Sequence, residues 1–304
     1  AMLPPDQLGN LAAMASTIPG IQLIPGMDGA ADLFSALGLS SDQNSTTFNG
    51  LGSAISALPA DAQVSAAIAT VSYDPARGNF SGAQITLMSL PGTNISNRQS
   101  SAGVVAPDLE FTDAVGDAQN QKYTNLQFGG GGRGPITLDR HFYNTSFGLG
   151  RNFKDLPSLL NTSALGLASA GVSRDSVTRL LDILRNANIP ATLPDAPRLQ
   201  ATNSATVQAN FDLTPSSSGT GNAFTLGFLG NIRQSQQVTM GGNSILTVPA
   251  HNGETTGWGG TISLRHTNYL WFGVLSNTTA GINVSGSDAE PYLRLPNGSV
   301  RINS

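Results

Sequence analysis

A strict alternation of apolar and polar residues runs through the second half of the chain and leaves few folds open to it. In "SATVQANFDLTP", residues 204–215, the odd positions from 205 to 213 are apolar and the even positions from 206 to 212 are polar. Successive side chains of a β-strand point to opposite faces of the sheet. The segment therefore predicts a strand with one apolar and one polar face.

Two further segments repeat this alternation, "AFTLGFLGNIR" at residues 223–233 and "VLSNTTAGINVSG" at residues 274–286. Leu229 interrupts the polar side of the first, and no charged residue falls on either apolar side. We predict that the apolar residues face outward: Val207, Ala209, Leu226, Phe228, Ile282 and Val284. We predict that the polar residues face inward: Gln208, Asn210, Asn231 and Arg233.

Composition excludes several classes of protein. With 39% hydrophobic and 11% charged residues among 304, the chain can bury a core and is unlike a disordered protein. Its net charge of -4 and its 15 scattered Lys and Arg residues argue against nucleic acid as a partner. The sequence has no Cys, and His141, His251 and His266 are isolated, so we expect no metal site and no cofactor.

The sequence also has no long apolar run. No segment approaches the ~18 consecutive apolar residues of a membrane-spanning helix. A membrane protein is still possible, because a barrel strand needs only about ten residues with apolar side chains at alternate positions.

Alternation by itself is more often explained by a soluble β-sandwich, whose apolar face is core. Three details favour a transmembrane β-barrel instead. The apolar faces use small residues, the polar faces are rich in Asn, Gln and Thr, and the connections alternate between short turns and long loops. The apolar faces also place aromatic residues toward the segment ends, as aromatic girdles do: Phe211, Phe224, Tyr269, Trp271 and Phe272.

One segment of this region predicts a helix. In "SRDSVTRLLDILRNANIP", Ser173 can cap the first turn and Pro190 ends the pattern. Apolar residues recur between them at helical spacing: Val177, Leu180, Leu181 and Leu184. Such a stripe usually packs locally, and we place the helix in an insert, residues 161–190, within an extracellular loop.

The first hundred or so residues have a different character. Short apolar pieces alternate with Gly and Pro, as in "STIPGIQLIPGMDGAADLFSALG". Turn-forming residues at this frequency predict a small mixed α/β unit with many turns.

A series of motifs resembles the TonB-dependent outer-membrane receptors. "VSYDPARGNFSGAQITLMSLPGTN", residues 71–94, resembles the end of their plug domain, and the matching turn residues are Tyr73, Asp74, Arg77 and Gly78. In "SSDQNSTTFNGL", Asn49 and Gly50 are similar to a plug hairpin, and "FGGGGRGPITLDRHFYNTSF" resembles the hairpin that enters the first barrel strands. The subgroup that the series resembles is the Oar-like receptors, which carry a carboxypeptidase-regulatory-like domain before the plug.

The resemblance implies a mainly β protein of two parts. A small mixed α/β plug domain would occupy residues 1–103, with Arg77 paired to Asp74, and antiparallel transmembrane β-barrel strands would occupy residues 104–304. About seven barrel strands can be counted, whereas plugged transporters have about 22. We therefore expect a partial barrel and a chain that is part of a larger receptor.

The function implied by the resemblance is energised uptake of a bulky, unidentified substrate across the bacterial outer membrane, with no enzymatic activity. Its partners would be outer-membrane lipid and an inner-membrane energy-coupling protein, reached through a segment absent here. The alternative is a soluble β-rich surface or capsid-like structural protein. An enzyme such as a glycosidase is disfavoured because no carboxylate pair is evident among 19 Asp and Glu residues.

Exposed loop residues are the expected points of substrate contact, because binding groups usually lie on loops of a rigid scaffold. The candidates are Gln43, Asn44, Asn243, His251, Asn252 and Trp258. Antiparallel strand order predicts that the insert and a long loop at residues 236–257 share one end of the barrel, opposite the turns at residues 215–222 and at Asp139. The alternative is that these loops only shield the barrel mouth.

Overall fold

A computed structural model describes most of the chain. The described residues are 10–24, 32–53, 57–69, 82–106, 109, 123–155, 158–160, 167–168, 171–192, 199–214, 222–240, 248–270 and 273–294. The predicted ion pair of Asp74 with Arg77, the neighbouring Tyr73 and Gly78, and the candidate Asn243 lie outside these ranges.

The chain begins with a short helix and a two-stranded antiparallel sheet. Helix α1 (Leu11–Ser16) is capped by Asn10, whose side-chain oxygen accepts hydrogen bonds from the backbone N–H groups of Ala12 and Ala13. The two strands that follow are β1 (Ile21–Ile24) and β2 (Leu33–Ala36).

A second small sheet follows, in the strand order β4-β3-β6-β5. Its strands are β3 (Ser45–Phe48), β4 (Leu51–Gly52), β5 (Val64–Ala69) and β6 (Gln84–Ser89). Asn49 and Gly50 join β3 to β4 with φ angles of 50° and 89°, as a two-residue hairpin turn requires. The predicted hairpin at these two residues is confirmed.

Within the described residues, seven strands form one large antiparallel sheet in which each strand pairs with its neighbours in sequence. The strands are β7 (Asn97–Val105), β8 (Tyr123–Thr137), β9 (His141–Asp155), β10 (Leu199–Leu213), β11 (Ala223–Thr239), β12 (Asn252–Tyr269) and β13 (Leu275–Pro291). The predicted fold class, a mainly β chain with a small mixed unit followed by antiparallel strands of a partial barrel, is confirmed.

The large sheet begins before residue 104. Strand β7 starts at Asn97, only a few residues after β6 ends at Ser89, and its last residues cross the expected boundary at 103. The division into a plug at 1–103 and a barrel part at 104–304 stays a prediction. We call the described residues that precede β7 the N-terminal unit.

The two faces of the large sheet differ as the alternation predicts. Val207 and Phe228 on one face are 41% and 38% exposed, whereas Gln208 on the other face is fully buried. Leu226, Ile282 and Val284 are also exposed, and Ala209 shares their face. From β9 to β12 the sheet thus buries its polar face and exposes its apolar face, which is the reverse of a sheet in a soluble protein.

The connections lie where antiparallel order predicts. The short connections, 138–140, 214–222 and 270–274, join strand ends at one end of the large sheet, and the longer connections, 106–122, 156–198 and 240–251, join strand ends at the other. We call these the turn end and the loop end. At the loop end, the backbone N–H of Ala250 donates to the carbonyl of Ala191 at 3.2 Å, so two of the loops touch.

The predicted helix is present in the loop between β9 and β10. Helix α2 (Arg174–Asn186) begins after Ser173, whose hydroxyl accepts a hydrogen bond from the N–H of Ser176 at 3.2 Å. Val177 is its most buried apolar residue, and Ile183 is exposed.

The predicted long loop at 236–257 is wrong in its bounds. Strand β11 continues to Thr239 and β12 starts at Asn252, so the loop is only 240–251. A β-bulge between Gln236 and Val238 lets pairing continue, with Gln237 at a φ of 58°. Residues 236–239 resemble a loop in sequence because the bulged residue Gln237 interrupts the alternation.

Strand β13 offers a direct test of the two faces. Val284 and Ser285 are consecutive, both are exposed, and they point to opposite faces. If the apolar face meets lipid, Val284→Arg should lower the free energy of unfolding from a bilayer by ~2–4 kcal/mol, and Ser285→Arg should change it little. Denaturant unfolding in lipid vesicles measures both values, and equal values for the two variants would contradict a lipid-facing surface.

Candidate functional site

The exposed face of the large sheet carries a continuous apolar band. Its members come from β8 to β13 and point to one side: Leu126, Phe128, Phe147, Leu149, Val207, Phe211, Leu213, Leu226, Phe228, Ile232, Trp258, Ile262, Leu264, Ile282 and Val284. Soluble monomers rarely expose an apolar patch of more than a few hundred Å². An apolar surface of this extent marks a face that meets a membrane or another protein.

The length of the band along a strand suits a bilayer. In β10 the apolar positions run from Ala205 to Leu213, a span of nine residues. A transmembrane β-strand, tilted by about 45°, needs about 9–11 residues to cross the hydrocarbon core.

Aromatic side chains lie near both borders of the band. Near the turn end, the ring of Phe224 stacks on His266 with centroids 4.3 Å apart. At the loop-end border, Trp258 pairs with Ile232 and lies over Gly286, where an added Cβ would be 2.9 Å from the indole. Rings at both borders are typical of an aromatic girdle.

The prediction that Trp258 lies in a loop is wrong. It lies within β12, is 49% exposed, and is on the apolar face. Sequence reasoning missed it because of the surrounding glycines, although Trp258, Ile262 and Leu264 all fall on even positions. That alternation was the signal that could have placed it.

The polar face of the large sheet is covered by the N-terminal unit through hydrogen bonds. Asn49, at the hairpin tip, is buried and accepts from the backbone N–H of Ser89 at 3.0 Å. The Ser89 hydroxyl lies 2.9 Å from Oδ1 of Asn210 in β10. The Asn210 amide donates to Asp212 at 3.1 Å, and Asp212 accepts from the backbone N–H of Gly92 at 3.0 Å. These contacts connect the hairpin tip at Asn49 to strand β10 and to Gly92.

Two more groups of hydrogen bonds attach the N-terminal unit to neighbouring strands. Asn144 of β9 is fully buried and donates to the carbonyls of Gln63 and Leu90 at 3.0 and 2.9 Å. Asp61 accepts from the Ser101 hydroxyl of β7 at 2.6 Å. The contacts therefore extend over several strands of the polar face.

One apolar contact lies among these polar ones. Leu229, the residue that interrupts the polar side of β11, is fully buried within the core of the N-terminal unit. The other buried members of that core are Leu11, Ala12, Ala15, Ile21, Phe34, Ala36, Phe48, Leu58, Ala83, Ile85 and Leu87. Leu229 thus extends the core of the unit into the large sheet.

Glycines let the two parts approach closely. An added Cβ on Gly227 would be 2.6 Å from the side-chain nitrogen of Asn49, and one on Gly281 would collide with the side chain of Leu51. Any larger residue at either position would push the hairpin of the N-terminal unit away from the sheet.

The remaining predicted substrate residues are spread over the molecule. Gln43 ends a short 3-10 helix (Ser41–Gln43), and Asn44 binds within the N-terminal unit, donating to the carbonyl of Phe34 at 2.7 Å and accepting from Ala83 at 2.8 Å. His251 and Asn252 are adjacent at the loop end. The structure does not bring Asn44 together with this pair, and their contact with a substrate stays a prediction.

Asn252 has a structural partner. It is fully buried and donates to the side-chain oxygen of Gln237 in the bulge at 2.9 Å. The Gln237 N–H donates to the Tyr292 hydroxyl at 3.1 Å, and burial raises the pKa of that phenol above its ordinary value. These contacts fix the corner where β11, β12 and the end of β13 meet.

The described residues offer neither a metal site nor a membrane-spanning helix. Among the residues that the structure describes, no group of three or more His, Asp or Glu side chains could hold a metal ion. In the same part of the chain, no helix has the length and apolar character needed to cross a membrane.

Comparisons with known proteins give a likeness in fold. No protein-family model matches the sequence, and no curated protein matches it. A double mutant of the ferric enterobactin receptor of Pseudomonas aeruginosa is 13% identical, with a TM-score of 0.53 over 93% of this chain and 38% of its own. The ferripyoverdine receptor of the outer membrane of the same bacterium, bound to ferripyoverdine, is 13% identical, with a TM-score of 0.48 over 95% of this chain and 42% of its own.

The chain thus spans 38% and 42% of the lengths of these two receptors. At 13% identity, the likeness to the enterobactin receptor concerns the fold alone.

Leu229 provides a test of how the N-terminal unit is held. Leu229→Ala should destabilise the docked unit by ~2–5 kcal/mol, because it leaves a cavity in a packed core. Limited proteolysis of the folded protein should then cut the N-terminal unit sooner. Leu226→Ala, on the exposed face of the same strand, is the control, and equal protection in the two variants would show that Leu229 does not anchor the unit.

Proposed function

We propose that the chain is part of a bacterial outer-membrane receptor that transports its substrate through a plugged β-barrel. The large sheet is the barrel wall, and the N-terminal unit is the plug. One observation carries the proposal: the large sheet exposes its apolar face and covers its polar face with another part of the same chain. Lipid outside and a filled polar lumen inside require this arrangement.

A soluble β-rich surface or capsid-like protein would be built the other way. In a sandwich the apolar faces of two sheets pack against each other, and the polar faces meet water. Here Phe228, Ile262 and Ile282 are exposed, while Asn144, Gln208 and Asn210 are buried. The soluble alternative would need a second apolar surface over the whole band.

The likeness in fold and the series of plug motifs support the same function. The TM-score of 0.53 is to a protein whose name describes it as a ferric enterobactin receptor. The motif at residues 71–94 and the confirmed hairpin at Asn49 and Gly50 resemble the plugs of TonB-dependent receptors, here of the Oar-like subgroup. By this resemblance, uptake of a bulky substrate would be energised by an inner-membrane protein.

The character of the interface suits a plug that has to move. Leu229 is the residue of the large sheet that lies in the apolar core of the N-terminal unit, and hydrogen bonds at Ser89 and Asn144 join the unit to the polar face. Each contributes only ~0.5–1.5 kcal/mol, because water can replace it. Pulling the plug aside would therefore expose little apolar surface.

The loop end is where a substrate would arrive. Helix α2, the loop 240–251 and His251 lie there, and Asn243 belongs to the same loop. Of the other candidates, Gln43 and Asn44 would act from the plug side, and Trp258 would lie at the membrane border. No catalytic step is assigned to the chain.

Removal of the plug tests this function. In the full-length protein, deletion of residues 10–89 should leave an open pore, so that a Gram-negative host becomes sensitive to a bulky glycopeptide antibiotic that its outer membrane normally excludes. Deletion of residues 174–186, which removes helix α2 from the loop, is the control and should not open the pore. Host survival on the antibiotic is the readout.

Assembly has to be measured separately for each deletion. Folded barrels resist extraction from the outer membrane by alkaline carbonate and migrate differently on gels before and after heating. A plug deletion that assembles normally but leaves the host resistant would contradict the plug, and an intact protein found in the soluble fraction would contradict the barrel.

A further inference from the structure

A row of polar side chains borders the apolar band on the exposed face. Near the loop end, the last apolar row across four strands is Leu149, Ala205, Ile232 and Trp258. Two residues further along each strand, on the same face, the row is Arg151, Asn203, Gln234 and Thr256. The change from apolar to polar therefore takes place over about 7 Å, at ~3.4 Å per residue.

Arg151 is the cation of this polar row. Its side chain is exposed, and its guanidinium carbon lies 4.6 Å from the ring centroid of Phe153, two residues further on. Among the described residues, no carboxylate lies within 4.0 Å of Arg151; the ion pair present there joins Arg185 to Asp182. A ring face attracts a cation without neutralising its charge, so Arg151 keeps a full positive charge at the border.

The neighbours of Arg151 suit an amphiphile. Asn203 pairs with it across β9 and β10, so an amide side chain is its neighbour on the same face of the sheet. Leu126 pairs with it on the other side and is 39% exposed, and Leu149 is on the apolar row just before it. A guanidinium binds phosphate through several N–H groups, and the adjoining leucines would contact acyl chains.

We propose that Arg151 and Asn203 bind the phosphate of an anionic membrane lipid at the loop end of the band. The inference rests on the proposed function, because it takes the apolar band to be embedded in a bilayer. The polar row then lies at the depth of the headgroups, where an arginine meets lipid phosphates. Free phosphate would use the guanidinium but not the leucines, which is why the lipid is the proposed occupant.

The polar border of the band carries negative charge on β12 and β13. On β12 and β13, Glu254 pairs with Glu290, and Asp288 lies next to Thr256. These carboxylates would repel a lipid phosphate. The proposed site is therefore confined to the side of the sheet formed by β8, β9 and β10.

Lipid retention tests the site. The full-length protein is placed in bilayer discs of equal parts phosphatidylglycerol and phosphatidylcholine with identical acyl chains, and retained lipids are counted by native mass spectrometry. Arg151→Ala should lower retention of phosphatidylglycerol roughly tenfold relative to phosphatidylcholine, as loss of a charge-assisted hydrogen bond implies. Arg151→Lys should restore part of it, and Arg179→Ala, on exposed helix α2, is the charge-matched control.

Other outcomes overturn the proposal in distinguishable ways. Unchanged lipid selectivity in Arg151→Ala, or an equal loss of both lipids, would show that no phosphate is recognised there. Displacement of the lipid by inorganic phosphate would show a site for free anions instead. If the unsubstituted protein does not enter the discs at all, the proposed function fails and the lipid site fails with it.

Discussion

Burial of the polar face of the large sheet is the condition on which the rest of the structure depends. A sheet that exposes its apolar face turns its polar face toward the interior of the protein. Polar groups that are buried there need hydrogen-bond partners. Asn144, Asn210 and Asp212 find them in the N-terminal unit or in each other. The N-terminal unit therefore covers the polar face and also stabilises the sheet.

Close contact between the two parts explains several choices of residue. The sheet has glycine where the hairpin at Asn49 and Leu51 comes nearest, because a side chain at Gly227 or Gly281 would fill the same space. Leu229 is the one inward residue in the core of the N-terminal unit. A mostly hydrogen-bonded contact with a single apolar anchor holds its position but can separate without a large loss of buried apolar surface.

The sequence predicted the faces of the strands well, because burial of one face forces a period of two that local residues reveal. Val207 and Gln208 fall on the expected sides for this reason. It did not predict the bulge at Gln237, where one extra residue hides the pattern, and so the loop after β11 was placed too early. Nor could it pair Asn49 with Asn210, since they are separated by 161 positions and meet only through the packing of two sheets.

Collision accessibility along β11 measures the orientation of the sheet most directly. The chain has no Cys, so a nitroxide label can be attached at one introduced Cys at a time from 224 to 232 in lipid vesicles. We expect the labels at 224, 226, 228 and 232 to be accessible to oxygen and not to a water-soluble nickel chelate, and the labels at odd positions to be shielded from both. Access of the nickel chelate to the even positions would mean that the apolar face meets water, and the membrane assignment would be wrong.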